Sequence, residues 1–233
     1  RIVVSLTTIP GRFRGVQDTL QSMLDQDIDV DAVYLHVPMM HGVRFGSASE
    51  ALPDSVHELA KKFPRLIINR NCSDYGPATK LIPTLELELN PDTLIITVDD
   101  DMIFKRTAVR TLVRHHINSP DTVFSNAGQI IDFASDGPAS SLGISVRSAD
   151  LWKDGVYPID ILEAFMGAIY RRDFFDLEEM KRIPKECLYT DDIWVSANLA
   201  ARGIPRVKLL VNQETRPTFS RNDNVNALRE NNA

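Results

Sequence analysis

The sequence predicts an α/β fold, a mostly parallel central sheet flanked by helices, with a smaller and less regular part toward the C-terminus. Strand-like and helix-like segments alternate through the first half, the pattern of parallel strands joined by crossover helices. An apolar, β-branched-rich run, Thr93 to Val98, follows the turn residues Asn90-Pro91-Asp92 and stops at three consecutive aspartates. At 233 residues and 43% apolar content, the chain is long enough for one large domain with its own core.

Residues 2–6 read as the first strand, and Pro10-Gly11 as a turn. Val16, Leu20, Met23 and Leu24 fall at helical spacing, which predicts a helix over 15–24. A strand at 32–37 follows, then a loop over 38–53, a helix to residue 62 capped by Asp54 or Ser55, and a strand at 66–69. Asp74-Tyr75-Gly76-Pro77 is a turn, and 78–89 read as a helix with Pro83 awkwardly inside it. Beyond the strand at 93–98 come a helix at 106–118 and a short strand at 122–124. Residues 125–160 look like loops with short strands, which suits an acceptor site or lid. Residues 165–170 read as a strand and 172–180 as a helix. Thr190 can cap another helix that Gly203 ends, and 207–211 form a last strand. The tail from 216 is polar and expected to pack loosely. The expected organisation is one domain with a regularly alternating half (about 1–124), a less regular half (about 125–215) and the polar tail (216–233).

A net charge of −6 argues against a general nucleic-acid binder. No apolar run approaches the roughly 20 residues that span a bilayer. Cys72 and Cys187 lie far apart without zinc spacing, which points to a reducing, cytoplasmic setting. The chain opens on Arg1 rather than Met, compatible with a part of a longer multidomain enzyme.

The chemistry concentrates in four clusters. Asp99-Asp100-Asp101 places three carboxylates at a strand end, where they repel unless a cation cancels the charge. A hard divalent ion such as Mn²⁺ or Mg²⁺ does so and leaves sites for phosphate. Strand alternation predicts Asp99 and Asp101 on one face and Asp100 on the other. The competing reading is a solvated acidic turn. Thr7-Thr8-Ile9-Pro10-Gly11-Arg12 follows the first strand; its hydroxyls suit a ribose or base, and Arg12 or Arg14 a phosphate. No Gly-x-Gly-x-x-Gly or Walker A sequence is present. Asp74 to Lys80 offers Tyr75 for stacking and Lys80 for a phosphate. Asp191-Asp192 opens a predicted helix, where acidic residues also serve the helix dipole; either can be a general base if it reaches an acceptor hydroxyl. Glu163 to Gly167 allows close approach of a sugar at Gly167, or equally a glycine bulge in a strand.

In order, "VVSLTTIPGRF", "DYGPATKLIPTLE", "LIITVDDDMIF", "EAFMGAIYRRDFF" and "TDDIWVSANLAARGI" resemble the GT-A glycosyltransferases, particularly small soluble domains of bacteria and large algal viruses. The resemblance implies a Rossmann-like GT-A fold, with 1–124 as the nucleotide-sugar-binding half and 125–215 as the acceptor and catalytic half, and a metal-dependent transfer of sugar from a nucleotide-diphosphate sugar, by default a UDP-sugar, to a glycan or glycoprotein hydroxyl. It implies Asp101 and Asp99 as ligands of Mn²⁺ or Mg²⁺, and Thr7, Thr8, Arg12, Asp74, Tyr75, Lys80, Asp99, Asp100 and Gly167 at the nucleotide sugar. Asp192, with Asp191 as neighbour and fallback, matches the base of inverting members. No histidine follows His116, so the late histidine ligand of many such enzymes is missing, and water or diphosphate oxygen would complete the coordination. The alternatives are a sugar nucleotidylyltransferase, disfavoured because 5–13 holds only Gly11, and a non-catalytic nucleotide- or glycan-binding module.

Overall fold

The computed structural model describes residues 1–39, 51–133, 144–148, 156–210 and 216–219. Its first strand, β1 (Ile2–Thr7), feeds two apolar layers: Val4 and Leu6 enter one, Val3 the other. Burial on both faces is why the strand reads as a continuous apolar run. Helix α1 (Val16–Leu24) seats Val16, Leu20, Met23 and Leu24 on the first layer. Strand β2 (Ala32–His36) pairs parallel to β1 with Val33 beside Val4, and α2 (Asp54–Lys62) leads to β3 (Leu66–Asn69) on the outer side of β2. The chain then crosses back to β4 (Leu94–Thr97), parallel to β1 on its other side, with Ile96 beside Val4. The strand order therefore reverses between β1 and β4. In open α/β sheets, ligands bind beyond the carboxyl ends of the strands at such a reversal.

Three expected helices change shape. Residue 54 is the first of α2 and Pro53 holds the cap position, so neither Asp54 nor Ser55 caps it. The helix expected over 78–89 divides into a 3-10 turn (Ala78–Lys80) and α3 (Ile82–Leu87). Pro83 falls in the first turn of α3, where its missing N–H had no intrahelical partner to lose. Residues 172–180 divide likewise into a 3-10 turn (Arg172–Phe174) and the short α5 (Leu177–Met180), capped by Asp176 accepting from the N–H groups of Glu178 and Glu179.

Between α3 and α5 lie β4, β5 (Met102–Ile103), α4 (Ala108–Asn118) and the largest departures from expectation. The short strand expected at 122–124 is the eleven-residue β6 (Val123–Phe133), and the one at 165–170 is the eleven-residue β9 (Ile161–Arg171). Residues 125–129 are polar or small; pairing with β9, with β10 at Ser125 and with β7 from Gln129 on, sustains β6 where propensity does not. With β7 (Ile144–Ser148), β8 (Tyr157–Pro158) and β10 (Arg206–Lys208), nine strands form one sheet among the described residues, ordered β3-β2-β1-β4-β9-β6-β10-β8, with β7 on β6. Strand β9 lies antiparallel between β4 and β6. Helix α6 (Asp191–Ala201) packs Val195 and Leu199 on the second layer, and Gly203, at φ +69°, lets the chain leave it.

Residues 216–219 of the tail are not loose: β11 (Thr218–Phe219) pairs antiparallel with β5, just past the aspartate triplet. Much of the expected loops at 38–53 and 125–160, and the tail after 219, lie outside the described residues. Cys72 and Cys187 are separate free thiols. No described helix is long and apolar enough to cross a membrane.

Candidate functional site

Beyond β1 and β4, Arg12, Lys80, Asp99, Asp100, Asp101, Asp191 and Asp192 form one charged cluster. Lys80 is its pivot. Its carbonyl accepts the Ser5 hydroxyl of β1 at 2.5 Å, and Ser5 Oγ meets Thr84 Oγ1 at 2.6 Å. Thr84 in turn bonds His36 Nε2 at 2.7 Å, and the Asn69 amide lies 3.0 Å from His36 Nδ1. Burial pushes His36 down to about 3, so this chain of polar groups is neutral. From that anchored backbone the Lys80 ammonium donates to Asp99 Oδ1 at 2.7 Å and lies 3.1 Å from Asp191 Oδ2. Burial opposes its charge, but Asp191, Asp99 and Asp192 outweigh it and hold the ammonium well above its ordinary value. Lys80 is only 4% exposed and faces inward, as a clamp on Asp99 and Asp191.

The triplet does not keep strand alternation. Strand β4 ends at Thr97, and the backbone turns at Asp100-Asp101. Asp99 goes to Lys80, while Asp100 and Asp101 both go to Arg12: Asp100 Oδ1 lies 3.1 Å from the guanidinium, and Asp101 Oδ2 accepts from its other nitrogen. Burial pushes Asp100 up to about 7 against the pull of Arg12 and the Thr8 hydroxyl, although neither Thr8 Oγ1 nor Asp100 Oδ2 completes a hydrogen bond of good geometry. Burial also raises Asp101, again against Arg12. No three His, Cys, Asp or Glu side chains among the described residues are grouped to hold a metal ion. Asp99 and Asp101 remain partly exposed, and their hard oxygens suit Mn²⁺ or Mg²⁺. Bound to different cations of the chain, they fit such an ion only if donor oxygens complete its shell.

Helix α6 brings in the other carboxylates. Asp191 is buried on Lys80. Asp192 Oδ1 accepts the Ala164 N–H of β9 at 3.1 Å, and Ser196 Oγ accepts the Leu162 N–H at 2.9 Å, so two bonds stitch the helix start to the strand. Burial and neighbouring Asp191 push the Asp192 carboxyl above the usual carboxylate range, against Lys80 and the Ala164 N–H.

Strand β9 can offer that N–H because it bulges. Ser125 pairs with Ala168 and Ala127 with Glu163, leaving 164–167 opposite Asn126 alone. The Ser125 hydroxyl donates to the Glu163 carbonyl at 2.7 Å and the Asn126 amide to the Met166 carbonyl at 2.9 Å. Gly167 sits here at φ +99°, packed near Leu112, Asn126 and Phe104. The bulge gives Gly167 a structural reason of its own.

Thr7 donates to the His36 carbonyl at 2.9 Å, and the Asp74 carboxylate accepts the Gly76 N–H at 2.9 Å to shape its turn. Tyr75 is half-buried against the second apolar layer, and Arg14 is exposed. Sequence reasoning missed Ser5, Thr84 and His36, and also Tyr170, whose hydroxyl accepts from Thr97 at 3.3 Å close to the charges of Asp192, Lys80 and Asp191. Ser5, Thr84 and Tyr170 fall within the quoted motifs and His36 outside them, yet each lies inside a strand or helix, where only the depth of a polar side chain in an apolar segment marks it. Beside the cluster opens a cavity of about 620 Å³, bordered by Met102, Phe165, Met166 and residues 216–219.

No protein-family model matches the sequence, nor does any curated protein. Solved structures share its fold. One is 4-diphosphocytidyl-2C-methyl-D-erythritol synthase, 11% identical, TM-score 0.58, over 96% of this chain and 95% of that one. Another is S. aureus TarS 1–349 in complex with UDP, 12% identical, TM-score 0.59, over 93% of this chain and 59% of that one. A third is CMP:2-keto-3-deoxy-manno-octonic acid synthetase complexed with CTP, 13% identical, TM-score 0.50, over 90% and 88%. The expected GT-A-like, Rossmann-like α/β fold is therefore the fold of this chain.

Proposed function

We propose that this chain transfers a sugar from a nucleotide-diphosphate sugar, by default a UDP-sugar, to a hydroxyl of a glycan or glycoprotein acceptor. The observation that carries the reading is the Lys80 ammonium, bonded at once to Asp99 beyond β4 and to Asp191 in the first turn of α6. It joins the strand end where α/β folds hold a nucleotide to the helix start that carries a carboxylate suited to proton transfer.

Asp192 is the base. Its raised affinity for protons brings it toward neutral pH, where a base works best. It takes the proton of the acceptor hydroxyl as that oxygen attacks the anomeric carbon. The bond from that carbon to the diphosphate breaks on the opposite side, so configuration inverts. Asp101, with Asp99, would hold Mn²⁺ or Mg²⁺ together with diphosphate oxygens, and the ion would neutralise the leaving diphosphate. Arg12 holds Asp100 and Asp101 in place, Lys80 holds Asp99 and Asp191, and the Ala164 N–H orients Asp192.

A sugar nucleotidylyltransferase is the second reading, supported by the fold match over nearly the whole length of 4-diphosphocytidyl-2C-methyl-D-erythritol synthase. Product analysis separates the two: the first releases a nucleoside diphosphate from a sugar nucleotide, the second pyrophosphate from a nucleoside triphosphate and a sugar phosphate. Within the first reading, Asp192→Asn keeps calorimetric binding of UDP with Mn²⁺ and loses transfer by about 10²–10⁴-fold. Transfer by Asp192→Asn at the wild-type rate overturns the base assignment, and retention of configuration overturns inversion.

A further inference from the structure

The cavity beside the cluster has walls of a different character. Met102, Phe165, Met166, Pro217 and Phe219 line it, and only Arg216 and Thr218 are polar. At about 620 Å³ it falls in the range of small-ligand sites. Apolar walls do not suit a diphosphate. Aromatic and thioether surfaces suit the C–H faces of sugar rings, and Phe219, 65% exposed, is the kind of aromatic that a ligand covers.

Chain continuity places this cavity between the two ends of the proposed chemistry. Met102 directly follows Asp101, and Phe165-Met166 directly follow Ala164, whose N–H holds Asp192. The β5–β11 register pairs Phe219 with Met102 and Thr218 with Ile103. Arg216 precedes that pairing by two residues, on the side away from Asp101. Among the described residues Arg216 has no carboxylate partner, whereas Arg12 holds two. An unmatched guanidinium offers a fork for a carboxylate or phosphate.

We propose that this cavity is an acceptor subsite for an anionic glycan, Phe219 and Phe165 lying against its sugar rings and Arg216 binding a carboxylate or phosphate on a unit beyond the one that reacts. The proposal rests on the transferase reading, but its test needs no turnover. The full chain is applied to an array of oligosaccharides, each in neutral, carboxylated and phosphorylated form. Wild type is compared with Arg216→Gln and Phe219→Ala, and thermal unfolding checks that each variant is folded. Wild type is expected to prefer anionic forms about tenfold, as a charge-assisted hydrogen bond implies. Arg216→Gln should lose that preference, and Phe219→Ala should weaken neutral and anionic forms alike. The carboxylated and phosphorylated arms identify the anion. No glycan binding, or an anionic preference that survives Arg216→Gln, overturns the subsite. If no nucleotide binds while the Arg216-dependent preference holds, the transferase reading falls and the glycan site stands. If nucleotide binds with Mn²⁺ while the preference is missing, the subsite falls alone.

Discussion

Lys80→Met keeps the length of the side chain and removes the ammonium between Asp99 and Asp191. Breaking a buried ion pair by deleting one partner costs about 3–5 kcal/mol, because the other charge stays buried and unpaired. The two stranded carboxylates do not share this equally. The Asp99 side chain is 34% exposed and regains water, so its part is discounted; that of Asp191, at 8%, bears most of the loss. Against a total stability of about 5–15 kcal/mol, this is a large fraction. For a urea slope of about 2 kcal/mol per molar, the midpoint falls by about 2 M at pH 7.5. Circular dichroism measures it, and Trp194 on α6 supplies a local fluorescence signal. The pH dependence is the sharper check. Lys80 also holds down the proton affinity of Asp192, which burial raises; without it the native state holds that proton still more tightly than the unfolded chain does, so the variant gains stability as pH falls and the deficit shrinks at pH 4.5. A variant within about 1 kcal/mol of wild type at pH 7.5, or a deficit equal at both pH values, refutes the clamp.

Three further outcomes follow from other groups. The base form of Asp192 is lost as pH falls, and its proton affinity is raised, so kcat/KM should climb with pH through a limb above the ordinary carboxylate range; a limb near 4 would contradict the buried environment. Asp100, pushed up to about 7, contributes stability that is fully present below about 4 and lost as pH rises through about 7. Urea unfolding in that window, with divalent ions chelated, should show the decline, and Asp100→Asn should flatten it. Gly167→Ala forces a side chain into φ +99° with Leu112 at 3.4 Å, and should lower stability by about 1–3 kcal/mol in thermal unfolding; an unchanged melting temperature would mean the bulge relaxes freely.

Much of the fold was legible because periodicity is local. The apolar runs at β1, β2 and β4, and the spacing of Val16, Leu20 and Met23 in α1, need no knowledge of distant residues. Strands β6 and β9 were legible only in part. Their polar and glycine-containing stretches are held by pairing with strands distant in sequence, and the bulge between them depends on Ser125 and Asn126 filling hydrogen bonds that a shifted register leaves open.

The sequence by itself determined the charged residue types of the site and the ends of elements near which they lie: a triplet at a strand end, a lysine near a helix start, and a pair of acids at another helix start. Charges at element ends leave that local signature. Tertiary structure alone decided which charge meets which. Lys80 takes Asp99 and Asp191, Arg12 takes Asp100 and Asp101, and Asp192 is left to a backbone N–H of β9. The physical reason is range. Propensity and periodicity act over a few residues, while an ion pair is set by burial and by the few ångströms between groups that the strand order brings together from distant parts of the chain.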